Sequence, residues 1–189
     1  MTTIVVVRKG KLAAIAADSL TTFGTTRLAP AYDRNPHKVI VYRDSFIGVA
    51  GSAAHQLVLE NLLGRNPDLA LHGKDSIYES FRRLHPLLKD EAFLNPKEEE
   101  DDPYESSQMT VMIANPSGIF AVYSMREVFE FDRYWAIGSG RDFALGAMYV
   151  AYPRGKSPEA VARIGVEAGA EFDTGTSLPM ALHTVTLAG

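Results

Sequence analysis

Met1-Thr2-Thr3-Ile4-Val5-Val6-Val7-Arg8-Lys9-Gly10-Lys11-Leu12-Ala13-Ala14-Ile15-Ala16-Ala17-Asp18 places two apolar runs on either side of a short charged link holding one glycine. Neither run alternates with polar residues, so neither has a face to offer to water. The pattern reads as a β-hairpin buried on both sides. With its turn centred near Gly10, residues whose numbers add to about twenty face one another. Thr2 then comes within a residue of Asp18. The hairpin gathers the amino terminus, a hydroxyl and a carboxylate at one corner of a sheet.

Threonine is small enough for methionine aminopeptidase to remove Met1, which would leave Thr2 as the free terminus. An N-terminal threonine carries a nucleophile, its Oγ1, and a base, its own α-amine, on one residue. The amine has a model-peptide pKa of roughly 7.7–8, suited to proton transfer near neutrality. Met-Thr-Thr also opens a strand in the ordinary way, because β-branched residues fit a pleated surface. These residues alone decide nothing.

The chain has 189 residues, 46% hydrophobic and 22% charged, with a net charge of -4. That length is read as one domain over residues 1–189 with enough chain for a substantial core. The charge gives no reason to expect nucleic-acid binding. Much of the acidity lies in Lys97-Glu98-Glu99-Glu100-Asp101-Asp102, which reads as a solvated loop. There is no cysteine, which excludes disulfides, thiolate metal sites and cysteine catalysis. Ile4–Val7 is too short for a signal-peptide apolar region, and no stretch approaches membrane-spanning length. A cytoplasmic protein without membrane attachment is expected. The five histidines, His37, His55, His72, His85 and His183, show no ligand spacing, so neither a metal nor a cofactor is expected.

Further along, Ser19–Thr26 reads as exposed strand and turn, and 27–37, with Pro30 and Pro36, as irregular. Strands are expected at 38–42 and 46–50. The period then changes to 3.6 for a helix from Ala53 to Gly64. A second helix is expected with Asp75-Ser76 as its cap and a kink near Pro86. Strands at 109–114, 119–123, 128–131 and 134–137 follow. Gly138-Ser139-Gly140 opens a helix running to about Tyr152. Ser157-Pro158 starts another that reaches about Ala170, and Leu182–Leu187 closes the chain as a strand. Strands and helices come in blocks, without βαβ alternation. The fold class is therefore α+β, with antiparallel sheets covered by helical layers.

In this order the residues resemble a proteasome β-type subunit, and most of all the bacterial ring-forming relatives of the proteasome, such as the β-proteobacterial homologue. Thr2-Thr3-Ile4-Val5 followed by Ala16-Ala17-Asp18-Ser19 is similar to the family's start, where an aspartate stands sixteen residues after a catalytic threonine. His37-Lys38-Val39-Ile40 resembles its lysine-bearing strand, and Gly48-Val49-Ala50-Gly51-Ser52-Ala53-Ala54 its oxyanion loop and first helix. Ala136-Ile137-Gly138-Ser139-Gly140 resembles the segment with its assisting serine. The resemblance implies a four-layer αββα sandwich, two antiparallel sheets between helical layers, as in N-terminal-nucleophile hydrolases.

It also implies roles. Thr2 would be the nucleophile of a threonine peptidase, with Lys38 favouring the neutral amine and the developing alkoxide. Asp18 would pair with Lys38, the Gly51 N–H would hold the oxyanion, and Ser139 would bond the terminal amine. Taken singly, Lys38 could be a snorkelling edge residue, Asp18 a strand end and Ser139 a helix cap. Near the last helix the family has an aspartate and, three residues later, a serine before a glycine. Glu171 and Thr174, ahead of Gly175, are matched to these, with Asp173 as the other candidate acid. Thr22 matches the position whose backbone pairs with an extended peptide. Val49 and Ala53 match the pocket for the residue before the cut, which implies a hydrophobic preference. Identical subunits in stacked rings, peptide or unfolded-protein substrates and an ATP-dependent unfoldase are the partners implied. A silent ring or scaffold subunit and an N-terminal-nucleophile amidase on small molecules are the competing functions.

Overall fold

The structure is a computed structural model that describes residues 1–97 and 100–188. Glu98 and Glu99 of the acidic run lie outside the described residues. Eleven strands and four α-helices occur among the described residues. The opening hairpin is β1 (Thr3–Lys9) and β2 (Leu12–Asp18), joined by Gly10-Lys11. Ile4 faces Ala17 and Lys9 faces Leu12, so facing residues add to twenty-one. This sets Thr3 level with Asp18, with Thr2 one residue beyond. β3 (Thr21–Phe23) and β4 (Thr26–Leu28) form a small hairpin of their own.

The second sheet runs β5 (Val39–Tyr42), β6 (Ser45–Ala50), β7 (Thr110–Asn115), β8 (Gly118–Val122) and β9 (Val128–Glu130), each antiparallel to the next. β10 (Tyr134–Gly138) and β11 (Met180–Thr186) return to the first sheet, whose order is β10-β1-β2-β11. The helices are α1 (Ala53–Arg65), α2 (Lys74–Asp90), α3 (Arg141–Ala151) and α4 (Pro158–Phe172).

Three apolar cores separate four layers, and strand alternation decides which residue enters which core. Ile4 and Val6 of β1, with Ala13, Ile15 and Ala17 of β2, meet Met112, Ala114, Ile119 and Ala121 between the sheets. Val5, Val7, Ala14 and Ala16 point the other way, onto Ala144, Met148, Val161 and Val166 of α3 and α4. Val111, Ile113, Phe120 and Val122 turn outward to Leu59, Leu63, Phe81 and Leu84 of α1 and α2. The central strands are buried on both faces, which is why their sequences are continuous apolar runs. The layers stack as α1/α2, second sheet, first sheet, α3/α4, the αββα sandwich expected from the resemblance.

The expected bounds of α4 and β11 shift by about two residues, and the cap of α2 moves as well. α2 is capped at Gly73, not at Asp75-Ser76: Ile77 N donates to Gly73 O, and Asp75 sits in the first turn, where its charge suits the helix dipole. The helix continues through Pro86 to Asp90. Among the described residues no helix is long and apolar enough to cross a membrane.

Candidate active site

The site forms at one end of the sandwich because β1 is an inner strand. Antiparallel pairing puts Thr3 opposite Gly138 on one side and Ile4 opposite Ala17 on the other. The residue that precedes β1 is therefore flanked by the end of β2, which carries Asp18, and by the segment after β10, which carries Ser139. Lys38 arrives from the second sheet, just ahead of β5. Four distant parts of the chain thus meet at Thr2.

Asp18 is wholly buried, Thr2 is 5% exposed and Lys38 9%. Lys38 Nζ donates to both Asp18 oxygens, at 2.8 and 2.9 Å, and to Thr2 Oγ1 at 2.9 Å. Thr2 Oγ1 also lies 2.5 Å from Asp18 Oδ1. Three backbone amides complete the carboxylate's shell: Thr3 N donates to Oδ1 at 3.0 Å, and Leu20 N and Ser177 N donate to Oδ2 at 3.0 and 3.3 Å. A charge removed from water needs such a shell. Burial holds the Lys38 ammonium below its ordinary value, and Asp18 draws it part of the way back.

On the other flank, Thr2 N donates to Ser139 Oγ at 3.1 Å. Ser139 Oγ donates in turn to Asp173 Oδ2 at 2.7 Å, and Thr176 Oγ1 donates to the same oxygen at 2.6 Å. Partial burial works to raise the Asp173 carboxyl, but these hydroxyls and the Gly175 backbone outweigh it and hold it below its usual range. Ser139 does not cap α3, whose N-cap is Gly140 without a side-chain bond. Its hydroxyl is given to the site.

Beside Thr2 opens a cavity of about 280 Å³, lined among others by Thr22, Val49, Gly51, Ala53 and Gln56. Its rim follows from local chemistry. Gly51 has φ +156°, a conformation that side chains rarely adopt, and a Cβ there would come 2.7 Å from His55 Nδ1. The next residue, Ser52, caps α1 with His55 as its reciprocal partner, so the chain turns sharply from β6 into the helix. Gln56 Nε2 donates to His37 O at 2.8 Å and ties the cavity wall to the segment bearing Lys38.

The structure brings together Thr2, Asp18, Lys38 and Ser139, with Gly51, Thr22, Val49 and Ala53 around the adjoining cavity. It does not bring in Glu171 and Thr174. α4 extends to Phe172, so Glu171 is still helical and exposed, and Thr174 is exposed in the turn beyond. Asp173, the first residue off the helix, reaches Ser139, and Thr176 takes the place expected for Thr174. Thr176 is the residue that the sequence missed. The signal was present: an aspartate with a hydroxyl three residues on holds for Asp173 and Thr176, but Gly175 drew the match two residues early. Among the described residues, no group of three or more histidines, cysteines or acids is placed to hold a metal ion.

No protein-family model matches the chain, and no curated protein does. Solved structures do. The bacterial proteasome homologue (BPH) of Thiobacillus denitrificans, in complex with epoxomicin, is 39% identical with a TM-score of 0.92, over 99% of this chain and 100% of that one. A second structure of the same protein gives 40% identity and a TM-score of 0.93, over 98% of each chain. HslV of Trypanosoma brucei, at 21% identity, a TM-score of 0.71, and 97% and 99% coverage, shares the fold.

Proposed function

Since the chain belongs to the proteasome-like family of N-terminal-nucleophile proteins, we propose that it is a threonine-type endopeptidase subunit of a self-compartmentalising protease, one peptidase domain over residues 1–189, with Thr2 as nucleophile once Met1 is removed. The observation that carries this reading is the 2.9 Å approach of Lys38 Nζ to Thr2 Oγ1 while the same ammonium is held on a buried carboxylate.

With Met1 gone, the Thr2 α-amine takes the proton from Oγ1, directly or through one water, as Oγ1 attacks a peptide carbonyl. The Lys38 ammonium stabilises the developing alkoxide. By like-charge repulsion it also keeps the amine neutral and able to accept a proton. Asp18 holds Lys38 in direction and offsets its buried charge. The Gly51 N–H stabilises the oxyanion of the tetrahedral intermediate, a contribution of about 2.7–4 kcal/mol in sites of this kind. The intermediate collapses to an ester on Thr2, and the leaving amine takes the proton held by the α-amine. Water then hydrolyses the ester with the same amine as base, which restores Thr2. Ser139 and Asp173 orient that amine. No metal or cofactor enters the scheme.

A substrate peptide lies extended along Thr22, with the side chain before the cut between Val49 and Ala53. Both are small and apolar, which favours hydrophobic residues there. Identical subunits stack into rings that enclose the sites in the cytoplasm, and an ATP-dependent unfoldase feeds unfolded protein to them.

Intact mass combined with labelling by epoxomicin tests the reading. The peptide epoxyketone needs a free α-amine and its neighbouring hydroxyl together. The expected result is loss of Met1 followed by a single stoichiometric adduct on Thr2, absent from Thr2→Ala, with cleavage of fluorogenic peptides by assembled rings. Mature rings that neither label nor cleave would mark a scaffold subunit. A monomer active only on small amides would mark an amidase.

A further inference from the structure

Thr3 carries a wholly buried hydroxyl for which the proposed chemistry has no use. Its Oγ1 lies 2.8 Å from Thr176 Oγ1. Thr176 and Ser139 both donate to Asp173 Oδ2, and Ser139 Oγ accepts from Thr2 N. The proton directions along this chain are constrained. An ionised carboxylate only accepts, and a hydroxyl has one proton to give. Thr176 gives its proton to Asp173, so Thr3 must be the donor in the Thr3–Thr176 pair. Ser139 likewise gives its proton to Asp173 and can offer Thr2 N only a lone pair.

Thr3 also holds the opposite flank. Its N–H donates at 3.0 Å to Asp18 Oδ1, the oxygen that takes Thr2 Oγ1 and Lys38 Nζ. Two helix ends close upon its side chain, since a Cβ at either Gly140 or Gly169 would run into Thr3 Oγ1. The hydroxyl is thus fixed between the start of α3 and the last turn of α4, at the head of one of two donor paths that converge on Asp173 Oδ2, the other running from Thr2 N through Ser139.

We propose that Thr3 is a positioning residue: acting through Thr176 and Asp173, its buried hydroxyl turns Ser139 so that a lone pair faces the Thr2 amine, and so sets the basicity of that amine. The role rests on the peptidase reading above, in which that amine is the base. A lone pair facing the amine favours its protonated form. Without the Thr3 donor, Thr176 and Asp173 lose their alignment, and Ser139 is released to turn its hydrogen toward the amine, which becomes less basic. The charged groups facing the amine are Lys38 ahead of β5, Asp18 at the end of β2 and Asp173 after α4. Thr3→Val removes none of them, so any shift reports on the hydroxyl.

The test compares mature, assembled wild type with Thr3→Val, Thr3→Ser and Thr3→Ala. Peptide turnover is followed across pH. The amine pKa is measured separately, from the pH dependence of its acylation rate by intact mass. Thr3→Val is expected to lower kcat about tenfold, a fraction of the 10²–10⁴ that a positioned proton-transfer group contributes, with KM unchanged within about twofold. Its amine pKa falls and the acid limb of kcat moves to lower pH, while Thr3→Ser restores both. If Thr3→Val does not assemble, Thr3→Ala makes the same comparison without the packed methyls. An unshifted amine in both variants overturns the proposal, as does a Thr3→Ser enzyme impaired as much as Thr3→Val. If wild type cleaves no peptide, the peptidase reading has failed, and the amine titration alone still decides the role of Thr3.

Discussion

Asp18 and Lys38 form one ion pair, yet removing one partner differs sharply in cost from removing the other. In Lys38→Met the Asp18 carboxylate keeps four of its donors: Thr2 Oγ1 and the amides of Thr3, Leu20 and Ser177. The buried charge stays solvated by the protein, and the burial penalty on the ammonium disappears with it. The net destabilisation should be small, about 1–2 kcal/mol, since a net hydrogen bond to a charged group is worth about 1.5–3 kcal/mol. In Asp18→Asn, by contrast, a 9% exposed ammonium loses its counter-charge and, once Met1 is gone, keeps only neutral acceptors, Thr2 Oγ1 and one amide oxygen. Three donors on Oδ2 would also face an amide group that cannot accept on both ends. Breaking a buried pair in this way costs about 3–5 kcal/mol. For a chain of this size that is a fall in Tm of about 6–20 °C, against about 2–8 °C for Lys38→Met. Both variants should lose peptidase activity by at least about 10²-fold. Thermal unfolding at matched subunit concentration, because assembly couples to stability, gives the first comparison and peptide turnover the second. Equal Tm losses, or a Lys38→Met enzyme that still turns over, would refute the account of the pair.

Gly51→Ala should lower kcat/KM by about 10²-fold or more, because a Cβ at φ +156° runs into His55 Nδ1 and breaks the capping box that shapes the loop; steady-state kinetics beside a thermal melt will separate this from unfolding. Asp173→Asn should lower kcat about tenfold or more, and Glu171→Gln should change it less than about twofold, since only Asp173 reaches Ser139; equal effects would restore the original match. On the basic side, activity requires charged Lys38 and is lost as pH rises through its folded pKa, which burial sets below the ordinary lysine value. Asp18→Asn should move that limb to still lower pH in a kcat profile. A fluorogenic panel should show hydrophobic residues cleaved best before the cut, and charged residues cleaved best would discard the assigned pocket of Val49 and Ala53.

How much of this was legible in sequence follows from what kind of constraint each residue obeys. The corner of Thr2 and Asp18 could be read because a tight hairpin converts sequence separation into distance, with an error of one residue: pairs add to twenty-one where about twenty was expected. Lys38 was legible only through resemblance, since nothing local says that the segment before an edge strand of the second sheet will reach the end of the first. The acid and its hydroxyl were matched first to Glu171 and Thr174, two residues ahead of Asp173 and Thr176, because helix ends are set by packing as much as by propensity. Here α4 continues past Ala170 while Phe172 finds Phe143 at a ring distance of 5.5 Å. The start of α2 was likewise obscured, because Gly73 caps it through backbone alone and Asp75-Ser76 carried the stronger local signal.

The position of β1 in its sheet explains why so many polar groups converge on Thr2. An edge strand would have one neighbour; β1 has two, and both end near Thr2. β2 brings an acid on one side and the turn after β10 brings a hydroxyl on the other, so Thr2 is solvated by protein groups on both flanks. The neighbouring sheet then supplies a cation from above. A free amine made at that point cannot swing away, because Thr3 behind it is pinned by Asp18, by Thr176 and by the backbones of Gly140 and Gly169. The order of strands holds Thr2 firmly where chain ends ordinarily fray, and in the proposed reaction that firmness is what would let one residue serve as nucleophile and base together.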